Sequence, residues 1–209
     1  MLKSLQLRVR KRMPRSVRQL VRVGRNAIAR SEASPRLPAH LLEDCGVCAS
    51  RNDLLTKLPK GGRIAEIGTD KGTFANRILK QNAPDELHLV DLDISHLMKE
   101  VADNPKVTVH VGRSTDVIGS FPDGHFDWIY IDADHSYPGC LADAQAASVK
   151  VKPGGYLVFN DFAHTDLEHG RYGVHRAVTQ FAVDNDWPFA WWAYERNGLY
   201  DVALRRPGT

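Results

Sequence analysis

From residue 63 onward, short apolar runs alternate with stretches in which apolar positions recur every three or four residues. The runs at 63–68, 86–91, 107–112, 126–132 and 155–161 have the length and β-branched character of buried strands. The helical periodicity falls between and after them, at 72–82, 95–103, 114–120, 138–151 and 171–186. Strand and helix in strict alternation predict a parallel sheet, because each crossover helix returns the chain to the same edge and packs on one face. The last two apolar runs differ. Residues 188–196 and 199–206 meet at Asn197-Gly198, the pair favoured in a two-residue hairpin turn. The pattern as a whole predicts a doubly wound, mostly parallel, seven-stranded α/β sheet of the Rossmann-like kind that ends in an antiparallel hairpin.

Two segments precede that alternation. Residues 40–59 read as a helix stopped by Pro59 and Gly61-Gly62. In residues 1–30, Leu2, Leu5, Val9 and Met13, then Val17, Leu20, Val21 and Ile28, form an amphipathic helical stripe interrupted near Pro14. Ser34-Pro35 to Pro38 punctuates its end, which divides the chain into an arm, 1–36, and a domain, 37–209.

Charge sharpens that division. Residues 1–36 hold 11 of the 28 Lys and Arg and one of the 25 Asp and Glu, Glu32, so the arm carries +10 and the remainder −7. The arm lacks the continuous apolar core of a secretory signal. Three readings stand: a tether to an anionic membrane surface or nucleic acid, an organellar presequence, or an appendage packed on the domain or on a neighbouring subunit of a homo-oligomer. Apolar residues make up 43% of the chain, enough for a sizeable core, yet no stretch is long enough to cross a bilayer. Cys45, Cys48 and Cys140 make no disulfide framework. Cys45 and Cys48, one turn apart in the expected helix, read as small hydrophobes of a reducing compartment, the cytoplasm.

The chemistry concentrates at the strand ends. Glu66-Ile67-Gly68-Thr69-Asp70-Lys71-Gly72 joins the first strand to its helix. Gly68 permits a sharp turn, and Gly72 permits the helix start to pack close to a ligand. A carboxylate before the glycine would repel a diphosphate but suits the cationic amino group of S-adenosylmethionine (SAM), which has no phosphate. Asp91 ends the second strand, where a carboxylate accepts the hydroxyls of a ribose. Ser114, after the third strand, stands either at the adenine edge or as the N-cap of the next helix, with Asp116 in its first turn.

The fourth and fifth strands end in Asp132-Ala133-Asp134-His135 and Asn160-Asp161. As sheet neighbours they would bring Asp132, Asn160 and Asp161 beside the SAM sulfonium, an oxygen-rich set of the kind Mg2+ favours. An ion there would lower the pKa of an acceptor hydroxyl, and His135 is the natural base to take its proton. The alternative is that the acids cap turns and His135 is a solvated loop residue. Asp132-Ala133-Asp134 also spells the D-x-D of metal-dependent glycosyltransferases, although Glu66 speaks against a nucleotide-sugar. Trp187, Trp191, Trp192 and Tyr194 read as core and hairpin packing before an acceptor pocket.

Taken with KGGRIAEIG, ELHLVDLD, FPDGHFDWIYIDADHSY and VKPGGYLVFNDF, the region from about 45 to 206 resembles the class I SAM-dependent methyltransferases of the methyltransferase 24 type, related to metal-dependent sugar O-methyltransferases of macrolide biosynthesis. The resemblance implies methyl transfer from SAM without carrying over the acceptor; the leading expectation is a hydroxyl of a small molecule, a sugar, glycolipid or natural-product-like acceptor. It implies cofactor contacts at Glu66, Gly68 and Asp91, metal ligands at Asp132, Asn160 and Asp161, and a base at His135. Asn160 stands where those metal enzymes often carry an acid. RNA methylation through the arm is the rival reading, against which the fourth strand lacks the Asp/Asn-Pro-Pro-Tyr motif that grips base amino groups.

Overall fold

A computed structural model of the chain describes residues 33–166 and 170–208. The arm lies almost wholly outside the described residues. The remaining chain, Pro35–Thr209, is built on one sheet, whose strands β1 (Gly46–Cys48), β2 (Arg63–Ile67), β3 (Glu86–Asp91), β4 (Val107–Val111), β5 (Phe126–Ile131), β6 (Val151–Phe162), β9 (Phe189–Ala193) and β10 (Tyr200–Arg205) run in the order β1-β9-β10-β6-β5-β2-β3-β4. A two-stranded ribbon, β7 (Thr165–Asp166) and β8 (Gly170–Arg171), lies apart from it. Strand β10 alone runs antiparallel to its neighbours. The sheet is mostly parallel, as the alternation predicts.

Two faces are covered, because the central strands are apolar on both sides. Helices α1 (Arg51–Lys57), α2 (Thr73–Asn82) and α3 (Lys99–Ala102) cover one face. They pack Leu54, Leu55, Ala75, Ile78 and Val101 on Ile64, Leu87, Leu89, Trp128 and Tyr130. Helices α4 (Ser114–Gly119), α5 (Tyr137–Ser148) and α6 (Val174–Asn185) cover the other, over Ala65, Ile67, Ile129 and Phe159. Ser50 caps α1 by accepting from the Asp53 amide at 3.1 Å, and Ser136 caps α5 by accepting from Gly139 at 3.2 Å.

Three expectations are corrected. The helix over 40–59 divides into a 3-10 turn (Ala39–Leu41), β1 and α1, because Val47 and Cys48 pair with Trp192 and Ala193 of β9 and that tertiary pairing overrides helical periodicity. This adds an eighth strand to the seven expected, and Cys45 and Cys48 therefore do not share a helix. Burial pushes the Cys48 and Cys140 thiols up to about 11 and about 12, so both behave as core hydrophobes. Finally, β9 and β10 are joined by a longer loop than two residues. Gly198 donates to the Glu195 carbonyl at 3.0 Å and has φ 80°, while Asn197 is not at positive φ, so the turn is not of the expected two-residue type.

The strand order reverses between β2 and β5: β3 and β4 follow to one side, β5 and β6 to the other. At such a switch point the loops leave in opposite directions and open a crevice beyond the carboxyl ends of the strands.

Candidate functional site

A cavity of about 1070 Å³ occupies that crevice, lined among others by Arg51, Glu66, Gly68, Asp91, Ser114, Asp132 and Asp143. That volume is at the upper end of small-molecule sites, room for a nucleoside cofactor and part of a second reactant. Gly68, at φ 83°, makes the opening possible: a Cβ there would collide with the backbone carbonyl of Asp132, which approaches because Asp132 donates to the Ile67 carbonyl at 2.8 Å. Gly72 serves a different neighbour than expected. It starts α2, does not line the cavity, and its missing Cβ leaves room for Leu97 and Val101, so the close approach it permits is to packing residues.

Glu66 is buried under the loop and accepts from the Thr69 hydroxyl at 2.5 Å. Burial, reinforced by the nearby Asp91 carboxylate, pushes its carboxyl up to about 8. A cation arriving in the cavity would be needed to ionise it near neutrality. Asp91 lines the cavity and also ties the loop in place, because its Oδ2 accepts from the amides of Thr69 at 2.8 Å and Asp70 at 2.9 Å. Ser114 is not the N-cap, a position taken by Arg113. It is the first residue of α4, and its hydroxyl donates to Asp143 of α5 at 2.5 Å, with both residues on the cavity wall. Burial raises the Asp143 carboxyl above its ordinary range.

Asp132, His135, Asn160 and Asp161 are brought together at the ends of β5 and β6. The Nε2 of His135 lies 3.3 Å from Asn160 Oδ1, 3.5 Å from Asp132 Oδ1 and 3.7 Å from Asp161 Oδ2. Its ring stacks on Tyr172 with centroids 4.6 Å apart. Asp161 sits at φ 53°, a left-handed conformation uncommon outside glycine, Asn and Asp, at the point where β6 turns toward the site. Burial and then the Asp161 carboxylate push Asp132 well above the usual carboxylate range. Asp132 lines the cavity, whereas His135, Asn160 and Asp161 are not among its lining residues.

A network that no motif announces backs this cluster. Arg51, at the start of α1, reaches Asp201 of β10 at 3.0 Å and Asp161 at 3.4 Å. The Tyr130 hydroxyl donates to Asp201 at 2.7 Å, and the Asn160 amide donates to the Tyr130 hydroxyl at 3.0 Å. Burial lifts Asp201 to about 6 despite the guanidinium beside it. Arg51, Tyr130, Asp143 and Asp201 escape sequence reasoning because they come from four elements and share no spacing. A buried acid in the hydrophobic pattern of β10 was the one available signal.

The expected metal set does not fit a divalent ion as arranged. The oxygens of Asp132, Asn160 and Asp161 face an imidazole nitrogen where an ion would sit, and a permanent cation, Arg51, already lies beside Asp161. Mg2+ demands near-octahedral oxygens at about 2.0–2.1 Å. The four aromatic residues of the last hairpin lie, among the described residues, outside the cavity. Trp187 packs on Phe181 and Trp192 on Phe162, while Tyr194 is exposed beside Tyr200.

Residues 65–162 match the family model of a methyltransferase domain. No protein of curated function matches the chain in sequence. Among solved structures it is similar to a SAM-dependent methyltransferase from Aquifex aeolicus, at 16% identity over 75% of this chain and 89% of that one, with TM-score 0.55. It is also similar to the N-methyltransferase NodS from Bradyrhizobium japonicum WM9, at 16% identity over 75% of this chain and 94% of that one, with TM-score 0.55. An O-methyltransferase family protein from Burkholderia thailandensis aligns at 13% identity over 76% of this chain and 55% of that one, with TM-score 0.57. At these identities the solved structures share the fold. The chain thus has the fold of SAM-dependent methyltransferases of solved structure, and its residues 65–162 match a methyltransferase domain.

Proposed function

We propose that the chain is a SAM-dependent methyltransferase that acts on a hydroxyl of a small molecule, with His135 as general base. The observation that carries the reading is the imidazole held between Asp132 and Asp161 beside the cavity. Glu66 receives the cofactor's ammonium, Asp91 its ribose, and Ser114 with Asp143 the adenine edge. The acceptor oxygen attacks the methyl carbon. The carbon–sulfur bond breaks with its electron pair left on sulfur, S-adenosylhomocysteine forms, and the hydroxyl proton passes to His135 Nε2. The flanking carboxylates then stabilise the imidazolium. No step needs a metal, since Arg51 already balances part of the acidic charge.

The test is calorimetry with SAM, followed by methyl-labelled SAM offered with hydroxylated sugars, glycolipids, phenols, amines and tRNA. Label on a hydroxylated small molecule is expected, undiminished by EDTA. His135→Ala should lower turnover about 10²–10⁴-fold with SAM affinity nearly unchanged. Label only on amines or tRNA, or an unaltered rate in the variant, overturns the reading. Activity abolished by EDTA would restore Asp132, Asn160 and Asp161 as ion ligands.

A further inference from the structure

At the opposite ends of the strands, away from the cavity, three chemistry-bearing side chains converge. Glu86 and His88 project from β3, and His125 precedes β5. One donor atom from each lies within 4.8 Å of the others. None of the three lines the cavity. We propose that Glu86, His88 and His125 form a binding site for a borderline transition ion, with Zn2+ as the natural occupant.

The donor set and its spacing carry the argument. Two imidazoles and a carboxylate suit Zn2+, whose tetrahedral donors at about 2.0–2.1 Å stand about 3.3 Å apart. Glu86 Oε2 and His88 Nε2 already stand 3.4 Å apart. His125 is half-buried in the loop before β5, with its donor atom within 4.8 Å of the other two. Its Nε2 is buried and has no hydrogen-bond partner among the described residues, a cost in the empty protein that coordination would relieve.

The surroundings act on the ligands as an outer shell. His88 Nδ1 lies 3.1 Å from His110 Nε2, and a proton donated along that contact frees the His88 Nε2 lone pair for the ion. Arg63 holds the other carboxylate oxygen, Glu86 Oε1, at 3.3 Å and leaves Oε2 for the ion. Arg63 and Lys152 add positive charge near His125 and temper the affinity. An ion here would staple β3 to the segment entering β5, a structural role on the face away from methyl transfer.

The experiment is titration of the full chain with ZnCl2 by calorimetry, with MgCl2 as the comparison, and melting curves in parallel. One Zn2+ per chain is expected, with a raised melting temperature and no comparable response to Mg2+. Affinity should fall at least about tenfold in His125→Ala, a half-buried loop position, and in Glu86→Gln, an exposed one. SAM binding in both variants should match the parent, which separates this site from the cofactor site. No Zn2+ binding, or binding equally strong in both variants, overturns the proposal.

Discussion

On the proposed function, one side chain, Glu66, serves both the empty and the loaded site. Its ordinary carboxyl value is 4.5, and burial lifts it to about 8. Between those values the unfolded chain releases a proton that the folded chain keeps, so stability falls as pH rises through this window and levels off above it. In Glu66→Gln that decline should shrink, visible as a flatter plot of melting temperature against pH from 5 to 8. SAM, bringing an ammonium to the carboxyl, should expel its proton. Calorimetry at pH 7 in buffers of different ionisation enthalpy is expected to show release on binding, absent in Glu66→Gln, which should also bind SAM at least about tenfold more weakly. Equal affinity and no proton release in either protein would remove Glu66 from the cofactor site.

Among elements, the decisive joint is the β2–α2 turn packed against the end of β5. Gly68 is there for a reason beyond its own backbone: at φ 83° any Cβ would enter the Asp132 carbonyl. Gly68→Ala is expected to cost at least about 2 kcal/mol, the sum of a left-handed alanine and a forced separation of two strand ends. Urea unfolding checks the stability, and SAM binding should be lost with it. A variant as stable as the parent would mean that the two loops are not in contact. The same scale explains β1. Three residues that look helical in isolation become a strand because β9 offers a free edge, and Trp191 packs over Gly46.

For the whole molecule, the question is what the +10 arm adds. Every residue of the cavity lies between Arg51 and Asp143, and Pro35–Thr209 forms its own compact unit. A chain beginning at Pro35 is therefore expected to melt at the parent temperature and bind SAM with parent affinity. Binding to anionic vesicles, steeply salt-dependent in the full chain, should disappear from it. Loss of SAM binding on truncation would show instead that the arm completes the catalytic domain. Among the described residues no helix is long and apolar enough to cross a membrane.

Local rules made much of this legible in advance. Parallel strands buried on both faces write continuous apolar runs, so the five repeated strands and their helices could be read from spacing, and the turn after β2 writes its glycine and its acid. Three-dimensional packing decided what spacing cannot encode. A free strand edge recruited β1 from a helical pattern. A guanidinium from α1 met Asp201 from β10, 150 positions away in sequence. Glycine 72 turned out to accommodate Leu97, and Ser114 found Asp143. Periodicity records which face of an element is buried, whereas the identity of its neighbour, and with it the pairing of charges, exists only once the chain has closed on itself.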